Sequence, residues 1–376
     1  MPATFGTTVA QEYTAKVLKV FFARSIFDDI TNKDYFTPGD SNPRTTKNIK
    51  SRFQKFNIPT LYSNGWSTFS GSDLSFTAIT ESIATLTIDQ FKALADLIPD
   101  LSVFKSQVKD PNSTIIQQAG DKLKKLMDQY ATSFWSDVAS GHWLGTNYTT
   151  GTVAVTTGTG AVTGTGTTFT AAMVGKPFKA TGHSAWYRVK TYTSATSIVI
   201  EDDSDDETSA YTGGTISAGA TYVIQANTAL ATTKTEIAGR LLTLSQMLDD
   251  AEVPQNDRWC ILPADAKSAL LTAAEFNRDI EVVYKETVQN GKIGKAYGMD
   301  LYVLPSANVA GDNTDGYKVM AGHKSFLTAG YGFISPIEVV NPENNFGSKI
   351  KGLFAYGAKV ADERRKAAAM LLATFS

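Results

Sequence analysis

Apolar residues recur every three or four positions in some stretches of this chain and every second position in others, which separates predicted helices from predicted strands. From Glu12 to Ile30, the residues Val17, Val20, Phe21, Arg24, Ile26 and Phe27 trace an imperfect helical stripe that runs out near Thr31 and Asn32. Pro38, Gly39, Asp40, Asn42 and Pro43 then fill Tyr35 to Thr46 with turn formers, which stop any helix. Thr- and aromatic-rich sequence from Lys47 to Asp89, broken at Tyr62 to Gly65 and at Ser70 to Asp73, predicts a long β-hairpin arm. A short helix is predicted from Ile88 to Leu97, stopped by Pro99. The best helical pattern starts after Asp110 and Pro111, carries Ile116, Ala119, Leu123, Leu126, Tyr130, Phe134 and Val138, and stops at Gly141. Roughly 28 residues at about 1.5 Å each span on the order of 40 Å, a length suited to a strut under a sheet. Gly120 inside it costs about 1 kcal/mol relative to alanine.

The pattern changes at Thr149, where threonine and glycine take over in GTVAVTTGTGAVTGTGTTFT and its continuation. Alternating strands with Gly-rich turns predict a small all-β module ending near Gln225, its core drawn from Val153, Val155, Val162, Phe169, Phe178, Trp186, Val189, Ile198, Ile200, Tyr222 and Ile224. Small polar flanks, Gly145 to Thr150 and Ala226 to Thr228, mark it as an insertion. Helical spacing returns with Ile237, Leu241, Leu244 and Leu248, followed by Pro254 and a buried-strand run from Trp259 to Leu262. A helix from Ala264 to Ala274, a Gly-punctuated stretch from Asn290 to Gly298, a strand from Met299 to Leu304 and a last long strand from Ser348 to Val360 complete an α+β reading.

Composition narrows the function classes. With 376 residues, 42% of them hydrophobic, the chain can build two or three cores. Lys plus Arg total 35 against 37 Asp plus Glu, and Arg364, Arg365 and Lys366 form the longest basic block, so the chain lacks the basic excess of a tight nucleic-acid binder. Cys260 is the single cysteine, which excludes an intramolecular disulfide framework and a thiolate metal cluster. No run of about 18 apolar residues occurs, and Met1 to Gln11 lacks the pattern of an export signal, so neither membrane insertion nor export is expected.

Candidate chemistry is sparse. His142, His183 and His323 lie far apart and none pairs with another at metal-ligand spacing. Cys260 sits between Trp259 and Ile261, where a thiol behaves as a small hydrophobe. Gly322 to Ser325 echoes the end of a phosphate loop, but the upstream glycine is missing and histidine stands before the lysine. Gly158 and Gly160 lack the third glycine of a dinucleotide fingerprint. The acidic run Glu201, Asp202, Asp203, Asp205, Asp206 and Glu207 lacks the glycine and alternating ligands of a calcium loop, and it reads as a solvated loop. No catalytic, cofactor or metal site is expected, and the chain does not read as an enzyme.

Four ordered segments carry a family resemblance: LDDAEVPQNDRWCILPADAKSALL (Leu248 to Leu271), GKIGKAYGMDLYVLPSANV (Gly291 to Val309), AGHKSFLTAG (Ala321 to Gly330) and FGSKIKGLFAYGAKV (Phe346 to Val360). Together with DYFTPGD (Asp34 to Asp40) and LTIDQF (Leu86 to Phe91), they resemble the major capsid proteins of tailed double-stranded DNA bacteriophages, a fold shared with herpesvirus shells and encapsulins. The resemblance covers roughly 300 residues, all but the inserted module, and its weight lies in the order and spacing of the segments.

That resemblance implies an α+β fold with an N-terminal arm (1–37), an extended β-hairpin loop (38–88), a peripheral domain with a long spine helix (89–148), an inserted small all-β domain (149–226), an axial domain (227–330) and a return to the peripheral domain (331–376). Its function would be self-assembly, as hexamers and pentamers, into an icosahedral shell in the host cytoplasm. The shell would enclose DNA without sequence-specific binding, with portal, scaffolding and decoration proteins as further partners and no membrane. Phe53, Phe56, Tyr62, Trp66 and Phe69 have no core of their own in the loop, which makes them the candidate intersubunit contacts. Two other functions fit parts of the sequence. One is an encapsulin-like compartment for protein cargo. The other is a carbohydrate-binding surface protein, suggested by Trp186, Tyr187 and Tyr192 in the β-module, which would need export.

Overall fold

The computed structural model describes residues 25–33, 55–62, 80–99, 111–203, 210–273, 292–340 and 347–376. Along the chain come helix α1 (Phe27–Ile30), β1 (Thr31–Asn32), β2 (Lys55–Tyr62), β3 (Thr80–Thr87), β4 (Gln90–Pro99) and helix α2 (Pro111–Ser133), which closes in a 3-10 turn at Phe134–Asp137. Short strands follow: β5 (Trp143–Leu144), β6 (Thr146–Tyr148), β7 (Thr152–Val155), β8 (Ala161–Thr165), β9 (Pro177–Ala180), β10 (Tyr187–Ser194), β11 (Ser197–Asp202), β12 (Ile216–Ala220), β13 (Tyr222–Thr228) and β14 (Leu230–Thr232). Then come α3 (Ile237–Asp250), β15 (Arg258–Pro263), α4 (Ala266–Thr272), β16 (Lys292–Ala296), β17 (Met299–Leu304), β18 (Tyr317–His323), β19 (Leu327–Val340), β20 (Gly347–Lys359) and β21 (Ala368–Phe375). The described residues fall into two compact units, one within Thr31–Ala119 and Leu327–Ala361, the other within Lys19–Ile30, Gly120–Phe326 and Asp362–Ser376.

In the first unit, β19 and β20 form a long antiparallel pair from Thr328 opposite Lys359 to Val340 opposite Lys349. The sheet order is β1-β19-β20-β4. Strand β4 corrects the helix expected from Ile88 to Leu97. Its ten residues pair antiparallel with β20, from Gln90 opposite Tyr356 to Pro99 opposite Gly347, and this ladder satisfies the backbone that a helix would otherwise satisfy internally. The expected hairpin is present as β2 and β3, paired from Lys55 opposite Thr87 to Tyr62 opposite Thr80. Ile58, Leu86 and Ile88 bury its root against Ala355 of β20. Gly357 permits that approach, since a Cβ there would lie 2.4 Å from the Thr87 carbonyl oxygen.

The second unit is built on a seven-stranded sheet in the order β14-β21-β18-β15-β17-β16, with β5 also paired to β21. As expected, β15 is a buried strand and α3 turns Ile237, Leu241, Leu244 and Leu248 inward. Helix α3 packs on β21 and β18. Between β16 and β17, Tyr297 and Gly298 both have positive φ, as a two-residue hairpin turn requires. Strand β21 changes the expected placement of residues 331–376. It lies between β14 and β18, and AAMLLATF is buried along nearly its whole length, the pattern of a strand covered on both faces. Thus β19 and β20 belong to one sheet and the last strand to another.

Helix α2 ends earlier than Gly141, because Phe134–Asp137 tightens into 3-10 and Val138 is extended. The Val138 carbonyl instead accepts from Trp143 Nε1 at 3.1 Å and from Arg188 Nη2 at 2.9 Å. The buried face of α2 is also rotated from the expected stripe: Leu123, Met127, Asp128 and Ala131 are buried, whereas Leu126 and Tyr130 are half-buried. Tertiary partners account for the rotation. Ser25 Oγ donates to Asp128 Oδ1 at 2.9 Å, and Thr132 Oγ1 donates to the Asn308 carbonyl at 2.8 Å. Of the expected helix from Glu12 to Ile30, the described residues hold α1, and residues 12–24 lie outside them.

Residues 146–228 form an eight-stranded antiparallel sheet in the order β12-β7-β8-β11-β10-β9-β13-β6. The incoming strand β6 pairs with the outgoing strand β13, Tyr148 opposite Ile224 and Thr146 opposite Thr228, so the chain enters and leaves side by side. All the expected core residues are buried in one cluster except Trp186, whose place is taken by Tyr187, with Met173, Ala180 and Tyr211 added. Trp186 is half-buried outside that cluster and lies under the Lys179 ammonium, 5.6 Å from the ring centroid.

Candidate functional site

The candidate contact residues fall in or near the β2–β3 hairpin. Phe53, Trp66 and Phe69 lie outside the described residues, and so do the side chains of Phe56 and Tyr62. The backbone of β2 sets Phe56 opposite Leu86 and Tyr62 opposite Thr80. The two faces of the ribbon differ: Ile58 is fully buried, whereas Ile83 in the next rung, opposite Pro59 and on the other face, is 55% exposed. A two-stranded ribbon with an uncovered apolar residue is poorly stable alone and is suited to burial on a partner.

A second uncovered apolar row was not legible in the sequence. Leu97 on β4 and Val340 on β19 both stand opposite Lys349 of β20, so the three residues share one cross-sheet row. Leu97 is 46% exposed and Val340 40%. The helical spacing of Ile88 to Leu97 hid this row, because only the pairing of β4 with β20 brings Leu97 and Val340 to the same end of the sheet.

The buried ionisable groups do structural jobs. Asp203, expected in a solvated acidic loop, is instead shared by two arginines from distant parts of the chain: Arg188 Nε donates to its Oδ1 at 2.6 Å and Arg365 Nη2 at 2.5 Å. Burial alone would raise the Asp203 carboxyl, but Arg188, Arg365 and the Ser140 N–H hold it below the usual carboxylate range. Arg188 also donates to the Ser136 and Val138 carbonyls, and Arg365 to the Asp137 carbonyl at 3.0 Å. This cluster ties the eight-stranded sheet to the end of α2 and to the turn before β21. The separation of 162 positions between Asp203 and Arg365 explains why no local signal announced it.

His142 has a buried Nδ1 without a hydrogen-bond partner among the described residues, and burial lowers its imidazole below the usual range, whereas His183, His323 and Cys260 have structural settings. His183 accepts from the Ala180 N–H at Nδ1, 3.3 Å, so its Nε2–H donates to Tyr211, 2.9 Å away, and Tyr211 passes a hydrogen bond to the Gly214 carbonyl. His323 Nδ1 lies 2.8 Å from Ser325 Oγ within its own turn. Burial pushes the Cys260 thiol up to about 12, which removes the thiolate that a nucleophile would need. Among the described residues, no group of three or more His, Cys, Asp or Glu side chains is placed to hold a metal ion, and no helix is long and apolar enough to cross a membrane.

No family model and no curated protein matches the chain. Solved structures do. A chain of Mycobacterium phage Che8 aligns with a TM-score of 0.50 and 16% identity, over 93% of this chain and 91% of that one. The capsid structure of the Cyanophage P-SCSP1u aligns with a TM-score of 0.51 and 14% identity, over 94% of this chain and 89% of that one. At such identity the likeness is one of backbone arrangement, and it spans nearly the whole length of each chain. The mixed helix-and-sheet fold of this protein is the fold of these phage structures, the Cyanophage P-SCSP1u capsid among them.

Proposed function

We propose that this chain is the major capsid protein of a tailed double-stranded DNA bacteriophage, a subunit that self-assembles into an icosahedral shell around phage DNA. The observation that carries the reading is the fold match to the Cyanophage P-SCSP1u capsid structure over 94% of this chain. In this reading residues 1–37 are the N-terminal arm, 38–88 the extended loop, 89–148 the peripheral domain with α2 as its spine, 149–226 an inserted β-domain and 227–330 the axial domain. Residues 331–361 return to the peripheral domain, and 362–376 complete the axial sheet through β21.

Assembly works by repeated burial. Phe53, Phe56, Tyr62, Trp66 and Phe69 of the loop, with Ile83, anchor on neighbouring copies, and obligate interfaces of this kind bury on the order of 2,000 Å² or more. Many such contacts in a closed, symmetric array give high avidity without one tight bond. The near-neutral charge suits a wall that confines DNA without reading its sequence. Hexamers and pentamers of the chain itself, with portal, scaffolding and decoration proteins, are the partners. The subunits assemble in the host cytoplasm, and the product is the virion shell, with no enzymatic step of its own.

Electron microscopy of the purified protein, expressed with and without a scaffold, tests the reading. Shells or rings of hexamer and pentamer size are expected, and a clean monomer under every condition refutes it. Nuclease-protected DNA in particles from infected cells separates a phage shell from an encapsulin-like compartment. Trp66→Ala should weaken assembly while shifting the monomer's melting temperature little. Strong destabilisation of the monomer would show that the ring packs within its own chain.

A further inference from the structure

Between β11 and β12, residues 210–214 form a strap outside the strands of the eight-stranded sheet. Tyr211 joins the core cluster of that sheet, while Ala210, Thr212 and Gly214 are exposed. At the rim, Thr212 donates through its N–H and its Oγ1 to the Asp202 carboxylate at 2.9 and 2.6 Å, and Thr157 Oγ1 donates to the Gly213 carbonyl at 3.0 Å. The strap lies tight on two phenols: a Cβ on Gly213 would come within 2.5 Å of the Tyr187 and Tyr211 hydroxyl oxygens. Its burial therefore rests on one side chain, Tyr211.

Tyr211 is held in turn by a chain of hydrogen bonds that runs in one direction. The Ala180 N–H donates to His183 Nδ1 at 3.3 Å, His183 Nε2–H donates to the Tyr211 hydroxyl at 2.9 Å, and that hydroxyl donates to the Gly214 carbonyl at 2.6 Å. Nδ1 must carry a lone pair for this chain to close, so only the neutral ring fits. Phe178, Tyr187 and Tyr211 surround the imidazole with ring centroids 4.5–6.2 Å away. The charged and titratable groups that face this cluster are Lys179 on β9, Tyr187 on β10, Asp202 on β11 and Tyr211 on the strap. Burial, with the Lys179 charge adding to it, holds the His183 imidazole below its usual 6.5. Burial, with Tyr187 and Asp202 adding to it, pushes the Tyr211 phenol up to about 12, and burial with Asp202 raises Tyr187, so both stay protonated where histidine titrates. The closed strap is thus at full strength above 6.5 and weakens as pH falls below it. His183 is also the one buried residue of the turn 181–185, entered through Gly182 at φ +105°, so its ring can leave without breaking a strand pair.

We propose that His183 is an acid-sensitive latch on this strap: a proton on Nδ1 breaks the Ala180 bond, drives the ring out of the aromatic cluster and frees Tyr211, so that residues 210–214 lift while the strands beneath stay paired. Opening takes the cover from the Tyr187 side of the core, and the sheet presents a different surface in acid from the one it presents at neutral pH. The inference is independent of shell assembly, because every residue in it belongs to one sheet of one copy of the chain.

Hydrogen exchange of the full-length protein tests the latch, read by mass spectrometry at about pH 7.5 and about pH 5 and corrected for the intrinsic pH dependence of amide exchange. Exchange in the peptide that spans 210–214 should rise several-fold at the lower pH, while the peptides of β11 and β13 keep their protection. His183→Asn keeps an acceptor for the Ala180 N–H and carries no charge, so its strap should exchange alike at both pH values. Tyr211→Phe removes the hydroxyl, so its strap should exchange faster already at the higher pH and lose most of the pH response. Circular dichroism checks that both variants fold, and if the Asn variant does not, Tyr211→Phe decides. A parent strap indifferent to pH, the same pH response in His183→Asn as in the parent, or a Tyr211→Phe strap that matches the parent at both pH values overturns the proposal. Loss of protection in β11 and β13 together with the strap also overturns it, and would make the response acid unfolding of the whole sheet.

Discussion

The eight-stranded sheet and the β2–β3 hairpin are both built from Thr-rich, strand-forming sequence, yet they treat their apolar residues in opposite ways. In the sheet, Val153, Phe178, Ile198, Tyr222 and Ile224 close on one another and are almost fully buried. In the hairpin, Ile58 and Leu86 on one face are buried with Ala355, and Ile83 on the other face is left 55% exposed. The first carries its own core. The second has two strands and one covered face among its described residues, too little to hold itself together without something else to lie on. Alternation alone does not distinguish them, because what matters is whether enough strands return to enclose the inward face.

The largest effects should come from breaking the self-contained region. Phe178→Ala removes a fully buried ring stacked on Tyr222, with centroids 5.6 Å apart. Chemical denaturation should show a loss of about 3–5 kcal/mol in the transition of the eight-stranded sheet. A loss under about 1 kcal/mol would mean that the cluster is not a core.

Removal of the whole sheet is expected to cost less than its size suggests, provided one residue is changed with it. Replacing Thr150 to Gln225 by a short Gly and Ser linker strips Asp203 and Arg188 from Arg365, whose side chain is only 5% exposed. Leaving that guanidinium with only Asp362, 3.9 Å away, as counter-ion costs about 3 kcal/mol, so the deletion alone should be poorly stable and the deletion with Arg365→Met should recover. Thermal melts of the two proteins compare them directly, and electron microscopy then asks whether the recovered one forms particles. No difference between them would show that Asp203 contributes nothing beyond its own sheet.

A pH dependence sharpens the comparison at a third place, where the lead-in to α1 is tied to α2 by polar contacts. Asp128 accepts from Ser25 Oγ and from the Ile26 N–H, its Oδ2 is buried with no hydrogen-bond partner among the described residues, and burial raises its carboxyl to about 6 despite Ser25 and Lys124. A carboxyl raised above its unfolded value of 3.8 favours the fold fully below that value, and the benefit is lost as pH rises through about 6. Asp128→Asn keeps the acceptor for Ser25 without the charge. Relative to the parent it should therefore gain stability with rising pH, from little near pH 4 to about 3 kcal/mol above pH 7. Urea melts across that range are the measurement, and a constant difference would exclude the buried charge.

The smallest effect on the isolated chain is expected at the hairpin. Ile83→Ser should change monomer stability by no more than about 0.5 kcal/mol, since the side chain is mostly solvated already. Sedimentation should nevertheless show weaker assembly. If the monomer loses stability instead, the hairpin has cover of its own and the contrast with the eight-stranded sheet disappears.

Local pattern is a good guide where the local chain decides the outcome. The stripe Ile237, Leu241, Leu244 and Leu248 is helix α3 facing inward, and the continuous apolar run from Trp259 to Leu262 is the buried strand β15. The Gly-rich alternation after Thr149 does build a sheet with its own core. Periods of 3.6 and 2 are properties of the backbone, and in these segments the tertiary packing agrees with them.

Pairing is less legible. The spacing of Ile88, Phe91, Leu94 and Leu97 suits a helix, but β20 offers β4 a full ladder and the helix loses. The strands β18, β19 and β21 carry no clear signal of their own, because buried strands lack the alternation that marks a half-exposed one. For the candidate site, the sequence points to the hairpin and its aromatics, while the Leu97 and Val340 row needs three strands aligned in register.

By itself the sequence determined the periods of α3 and β15, the Gly-rich alternation after Thr149 that builds a sheet with its own core, and the lack of a basic excess for gripping nucleic acid. Tertiary structure alone decided that β21 leaves β19 and β20 for another sheet, that Asp203 is a half-buried ion-pair partner and not a solvated acid, and that Lys176 and Lys318 share a cleft. The division has a physical reason. Periodicity and turn chemistry act over a few residues, whereas burial and electrostatics depend on distance in space, and Asp203 meets Arg365 across 162 positions of chain.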